Sequence, residues 1–147
     1  MFLLYTSLQA MYPMPGPPKP IGIKVVAHVI VGLPNETVED VKETVRFACD
    51  SGIWGIKIQL LHVLQNTDLA KDYKDGLFKV LEMDEYMDIL CEVIPEIPKN
   101  IVIHRITGDG PKKILIAPIW SGNKRKVLNT LSCEFEKRNG ENIYKYK

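Results

Sequence analysis

Three histidines, His28, His62 and His104, are the residues of this 147-residue sequence best suited to chemistry, and each lies in or directly after an apolar run. Imidazole titrates near physiological pH and binds metals, so a zinc site is the first chemistry to weigh. Zinc needs its donors within about 2.1 Å of one point, and spacings of 34 and 42 residues specify no such convergence. A Ser-His-Asp hydrolase has no G-x-S-x-G elbow to build on, and neither a P-loop nor a G-x-G-x-x-G follows a strand. The cysteines, Cys49, Cys91 and Cys133, each fall within a helical pattern. Their odd, sparse number suits a reducing, cytoplasmic compartment and not a disulfide framework.

Period-two alternation sharpens the reading of the histidines. Along residues 24–31 (KVVAHVIV), His28 and Ile30 share a face with Gly32. Along residues 53–61 (IWGIKIQLL), Lys57 and Gln59 share one face and Ile56, Ile58 and Leu60 the other. If the apolar faces meet helices, His28, Lys57 and Gln59 point toward an enclosed polar interior. Burying such groups without partners costs several kcal/mol or shifts their pKa, so the pattern suggests a cavity with water or ligand. The alternative is that these side chains are satisfied in an ordinary core or reach solvent at a sheet edge. Asp109, between Gly108 and Gly110, has a ligand-binding reading and a commoner one as a tight-turn residue. Lys112-Lys113 and Lys124-Arg125-Lys126 have the chemistry of phosphate contacts and equally that of a solvated face.

The elements that must position these residues are legible from pattern. Five of the ten prolines fall in residues 13–20 (PMPGPPKP), which cannot continue a helix or a central strand, so residues 1–20 read as an extended leader. Residues 24–31 are β-branched and apolar at nearly every position, the mark of a strand buried on both faces. A Gly32-Leu33-Pro34 turn leads to a helix capped by Asn35 or Thr37, with Glu36, Glu39 and Asp40 suited to its positive end. Val38, Val41, Val45 and Ala48 make its apolar face, and Gly52 ends it. With the strand at residues 53–61 this is a βαβ unit with parallel strands. A short helix is expected at residues 68–74. A longer one follows at residues 84–94, carrying Tyr86, Met87, Leu90, Val93 and Ile94 inward and closed by Pro95 and Pro98. A third strand spans residues 101–106, and residues 107–111 form a turn-rich loop. Residues 113–116 are ambiguous between strand and helix. The last helix is expected from a Ser121 cap to Arg138, with Val127, Leu128, Leu131 and Phe135 inward.

Apolar residues make up 46% of the chain and charged residues 25%, an ordinary globular balance. The net charge of +1 gives no global reason to expect an acidic partner. No apolar run approaches the roughly 18 residues of a membrane span. Ligands in parallel α/β folds gather at the carboxyl ends of strands, which here means residues 32–36, 59–66 and 104–110.

Three runs resemble a known family. AHVIVGLPNET (residues 27–37), GIKIQLLHVLQNTDLA (55–70) and HRITGDGPKKILIAPIWSGNKRKVLN (104–129) are similar to the second half of radical S-adenosylmethionine (SAM) proteins. The nearest group is the bacterial Fe–S oxidoreductases related to the elongator catalytic subunit. The Gly-Leu-Pro turn is shared widely among such proteins, whereas the His-Arg-Ile-Thr-Gly-Asp-Gly-Pro order is much narrower. The likeness covers about residues 21–138.

What this resemblance implies is an α/β fold: the end of a partial parallel (β/α) barrel over residues 21–98, then a radical SAM C-terminal module over residues 99–147. Ile30, Gly32 and Leu33 would approach the adenosine of SAM, and Gln59, Leu61 and His62 would line the adenine site. His28 and Lys57 would face the interior, and His104, Arg105 and Asp109 would lie near the substrate entrance. The family chemistry is reductive cleavage of SAM to a 5′-deoxyadenosyl radical on a [4Fe–4S] cluster held by a C-x-x-x-C-x-x-C loop. That loop is absent from this sequence, so no cluster and no independent SAM cleavage are expected. A truncated product, an isolated domain and one part of a split enzyme all fit. The partners expected are the N-terminal half or a second copy paired through the first strand, whose apolar edge invites pairing, or else the leader folded over that edge. The runner-up is a module binding RNA, such as tRNA, or a protein through residues 112–126. A purely structural role is the third reading. No membrane or DNA partner is expected.

Overall fold

The computed structural model describes residues 23–108 and 110–143; the proline-rich residues 1–20 and Asp109 lie outside them. Strand β1 (Val26–Val31) leads through helix α1 (Val38–Asp50) to strand β2 (Gly55–Leu60), and the two strands pair in parallel with His28 opposite Lys57 and Ile30 opposite Gln59. Strand β4 (Val102–Arg105) pairs in parallel with the other edge of β2, giving a sheet of order β1-β2-β4. The expected βαβ unit and third parallel strand are therefore present, with β2 in the centre.

Local chemistry explains the helix boundaries. Thr37 caps α1 in a reciprocal capping box: its hydroxyl oxygen accepts from the Asp40 amide, and the Asp40 carboxylate accepts from the Thr37 amide at 2.8 Å. Hydrogen bonds from the Thr37 hydroxyl and amide hold the Asp40 carboxyl below its usual range. Val41 and Val45 are buried on α1, as the spacing requires. Helix α2 (Asp68–Lys74) is short, and helix α3 (Met83–Val93) buries Tyr86, Met87, Ile89, Leu90, Cys91 and Val93. Helix α4 (Lys124–Asn139) buries Val127, Leu131 and Phe135. Its cap is Asn123, whose side chain accepts from the Lys126 amide, and not the expected Ser121. Ser121 sits in a preceding 3-10 turn and is engaged elsewhere.

One core joins these elements. Val29 and Val31 of β1, Ile56, Ile58 and Leu60 of β2 and Ile103 of β4 pack with the buried faces of α1, α3 and α4. Each such side chain contributes roughly 1.5–3 kcal/mol on burial. Two ion pairs brace α1 against α3 and the turn after it: Lys42–Glu92 at 2.7 Å and Arg46–Glu96 at 3.2 Å. Arg138–Asp88, at 2.6 Å, joins α4 to α3. At the surface such pairs add little; the apolar contacts carry the packing.

Two expectations are corrected. The apolar run of residues 24–31 predicts a strand buried on both faces, yet only Val29 and Val31 of β1 are buried while His28 is exposed and Ile30 is 43% exposed. The run is apolar enough to suit two covered faces, but the helices lie against one. Residues 113–116, ambiguous from sequence, contribute to strand β5 (Leu115–Ala117), which pairs antiparallel with a two-residue strand β3 (Val63–Leu64). This ribbon was not expected, because strands of two and three residues carry almost no periodicity. It covers a small second core of Val63, Ala70 and Ala117.

Gly55 makes a specific demand on this arrangement. A Cβ built there would come within 2.6 Å of the His104 ring and 2.9 Å of the Val102 carbonyl oxygen. The ring can move, but the strand backbone cannot without breaking the β2–β4 pairing. Gly55→Ala is therefore expected to destabilise the protein by about 1–3 kcal/mol in urea unfolding, and Gly55→Ala with His104→Ala should recover only part of that loss. Full recovery in the double variant would show that the backbone contact is unimportant.

Candidate functional site

The carboxyl end of β1 turns sharply through Gly32-Leu33-Pro34-Asn35-Glu36. Gly32 has φ +88°, in the left-handed region that glycine tolerates, and a Cβ there would meet the Leu81 side chain at 2.8 Å. Asn35 also has a positive φ. The Glu36 carboxylate folds back and accepts from the amides of both Gly32 (2.8 Å) and Leu33 (3.1 Å) with one oxygen. Sequence reasoning gave Glu36 to the helix dipole. Its actual role is to tie the turn, and a carboxylate three to four residues past a strand-ending glycine is the signal that could have found it. Burial pushes the Glu36 carboxyl above its usual range, against the lowering effect of the two amides.

Across the sheet, one face is left open. His28 of β1, Lys57 of β2 and Arg105 of β4 are direct register partners, so their side chains share the face opposite the core. Ile30 and Gln59 form the next row toward the carboxyl ends. The register of β4 slips between Ile56 and Lys57, so that Ile56 faces Ile103 but Lys57 faces Arg105. The extra residue, His104, is thereby turned out as well; both His104 and Arg105 are exposed, between buried Ile103 and Ile106. A bulge of this kind re-aims side chains. The His104 ring packs over Gly55 and tilts against Trp54 with centroids 4.9 Å apart, and Lys24 caps the Trp54 ring at 4.3 Å. His104 thus sits within β4 near the amino end of the sheet, not after the strand. The shared direction of His28, Lys57 and Gln59 was read correctly. Of the surroundings left open by the sequence, an enclosed cavity or contact with solvent, the structure has the second: His28 is exposed and Lys57 and Gln59 are half-exposed.

The carboxyl ends of β2 and β4 are knit together. Gln59 packs its side chain against Gly108, where a Cβ would come within 2.6 Å of it. The half-buried His62 lies past β2, its Nε2 3.0 Å from the Ser121 hydroxyl, which itself donates to the Pro118 carbonyl at 2.8 Å. A hydroxyl has one proton, so His62 donates through Nε2 in this arrangement. Leu61, half-buried, donates its amide to the Val31 carbonyl. On the core side Tyr86 donates to the Ile106 carbonyl at 2.7 Å and fixes the exit of β4; its burial pushes the phenol well above its usual range. Asp109 lies outside the described residues. The structure therefore brings His28, Ile30, Lys57, Gln59, His104 and Arg105 to one face, and gathers Gly32, Leu33, Leu61 and His62 at its carboxyl edge.

The cysteines do not fit the three-thiolate ligation of an iron–sulfur cluster. Cys49 is half-buried on α1, Cys91 buried on α3 and Cys133 exposed on α4. Burial pushes the Cys49 and Cys91 thiols up, which disfavours the thiolate a metal needs. No group of three His, Cys, Asp or Glu among the described residues is placed to hold a metal ion. No described helix is long and apolar enough to cross a membrane.

The Glu36 tie makes a testable statement. Glu36→Ala leaves two amides without their acceptor and should cost about 1–3 kcal/mol, while Glu36→Gln keeps one accepting oxygen and should cost less. Because the folded-state pKa is raised, the carboxyl contributes most when protonated. That contribution is present below the ordinary glutamate range and is lost as pH rises through the raised folded-state value. The stability difference between wild type and Glu36→Gln should change in that window, measured by urea unfolding from acid to neutral pH. A difference flat with pH would contradict the burial of this group.

Comparison with known proteins bears on the fold and the family. The radical SAM C-terminal domain family matches residues 53–137. YtqA of Bacillus subtilis is 42% identical over 117 residues, covering 80% of this chain and 36% of that protein. YhcC of Escherichia coli is 32% identical, covering 70% and 33%, and Elongator complex protein 3 of Dictyostelium discoideum is 30% identical, covering 74% and 20%. In fold, the chain is similar to an N-terminally deleted Elp3 of the archaeon Methanocaldococcus infernus, with TM-score 0.61 and 22% identity over 81% of this chain and 28% of that one. The chain spans about a third of the length of the first two of these relatives and a fifth of the third. With more than half its residues matched by that family model and an α/β architecture of parallel strands to go with it, the chain belongs to the radical SAM C-terminal domain family.

Proposed function

We propose that this chain supplies the C-terminal wall of a radical SAM oxidoreductase chamber, with its open sheet face turned toward cofactor and substrate. The observation that carries the reading is the one-sided sheet: three parallel strands cover one face with helices and present His28, Ile30, Lys57, Gln59 and Arg105 on the other. In full-length relatives the family implies SAM and a [4Fe–4S] cluster, which together furnish the radical chemistry. This chain's part is to shape and line the chamber. Ile30 and the Gly32–Leu33 turn offer an apolar surface and a rigid corner at the carboxyl edge, and Gln59 offers an amide beside them. The electron source must come from thiolates on another polypeptide segment. Strand β1, which pairs only with β2 among the described residues, is the natural seam for that segment or for a second copy.

Anaerobic reconstitution with iron and sulfide tests this directly. The chain alone should retain substoichiometric iron and release no 5′-deoxyadenosine from SAM under reduction, whereas mixing with a cluster-bearing N-terminal half should restore both. One cluster per chain without that half would sink the proposal. Light scattering should show association through β1, reduced by an Ile30→Lys change on the open face beside that seam.

A second reading has one observation in its favour. Lys124, Arg125 and Lys126 are exposed in the first turn of α4, where the helix dipole disfavours cations, and Lys112 and Lys113 are exposed on the same connecting stretch. Such a concentration suits an RNA backbone. Titration with tRNA should then give an affinity falling about 10³-fold or more from 50 to 200 mM salt if six or more phosphates are engaged. Salt-independent binding, or none at low salt, would dismiss this second reading and leave the first untouched.

A further inference from the structure

The cross-strand row His28–Lys57–Arg105 carries the Lys57 and Arg105 charges side by side, and no carboxylate among the described residues pairs with them. The three residues lie directly opposite one another on neighbouring parallel strands, hence about 4.8 Å apart and spanning about 10 Å in all. Like charges in such positions oppose folding. The strands themselves, VAHVIV, GIKIQL and VIHR, contain no carboxylate. None of the ion pairs among the described residues involves His28, Lys57, His104 or Arg105. Five cations elsewhere, Lys42, Arg46, Lys71, Lys137 and Arg138, do meet carboxylates. The row also departs from regular pairing to exist, since the β4 bulge turns both His104 and Arg105 outward next to Lys57.

We infer that this row is an anion subsite for the diphosphate part of a phosphorylated small-molecule substrate. A single carboxylate is small enough to occupy one guanidinium. A run of two linked phosphates places oxygens along the row, where Arg105 grips one group in fork geometry and Lys57 acts as a point charge between the two. The His28 imidazole offers an N–H to the second phosphate. The row above, Ile30 and Gln59, then meets the uncharged remainder of the same molecule with an apolar surface and one amide. The inference deepens the reading of this face as a chamber wall and rests on it. Its test is separate, because pyrophosphate can bind the row whether or not the chain ever assists SAM cleavage.

The experiment is titration of the full 147-residue chain with inorganic pyrophosphate at constant ionic strength, read by calorimetry and by thermal unfolding, with acetate as the carboxylate comparison. Pyrophosphate should bind saturably and raise the unfolding temperature, and acetate should do neither. Lys57→Gln and Arg105→Gln should each weaken binding about five-fold or more while leaving the ligand-free unfolding temperature unchanged or higher, since each removes repulsion. Lys124→Gln and Lys126→Gln should leave binding as in wild type. The inference is overturned if pyrophosphate shows no saturable effect beyond matched chloride, or if the α4 variants abolish binding. It is also overturned if Lys57→Gln and Arg105→Gln lower stability without touching affinity, or if single-stranded RNA outcompetes pyrophosphate on the same residues.

Discussion

The side-chain period of the central strand governs this structure. β2 must bury Ile56, Ile58 and Leu60 to seat α1, α3 and α4, and because successive side chains alternate, the same requirement sends Lys57 and Gln59 to the opposite face. β1 and β4 follow through their register, bringing His28, Ile30 and Arg105 alongside. A slip of one residue would exchange the core for the polar row. The polar face and the stability of the domain are thus two sides of one strand pattern, and neither can move without the other.

Tension in the sheet is concentrated where the open face is shaped. The β4 bulge gives up regular pairing to expose two consecutive polar residues, and Gly55 is the position that makes room for the His104 ring. At the other end the Gly32 turn is held by a carboxylate whose burial disfavours its own ionised form. Regular, apolar packing on the core side compensates for these irregularities, as is common where a fold carries a site. The helices are braced at their exposed flanks by ion pairs, whereas none among the described residues lies on the open face.

Family membership and local geometry answer different questions here. The match over residues 53–137 and the likeness of fold establish what kind of domain this is. They do not transfer the activity of relatives three to five times its matched length. The chain's own cysteines argue for the same restraint, since they sit on three different helices with two of their thiols pushed away from ionisation.

The sequence by itself determined the βαβ start, the apolar faces of α1, α3 and α4 and the common direction of His28, Lys57 and Gln59. Each is a local periodicity repeated over several turns or residues, and local patterns survive without knowledge of neighbours. The helix cap was narrowed to Asn35 or Thr37 by residue type, and the structure has Thr37. Only tertiary structure decided that β1 is covered on one side, because an apolar run cannot say how many helices will reach it. The pairing of β3 with β5, the tie from His62 to Ser121 and the bulge at His104 join residues distant in sequence through one or two contacts each. Contacts so sparse leave no period to read. The row of His28, Lys57 and Arg105 at the centre of the open face is visible only once three strands from different parts of the chain are laid in register.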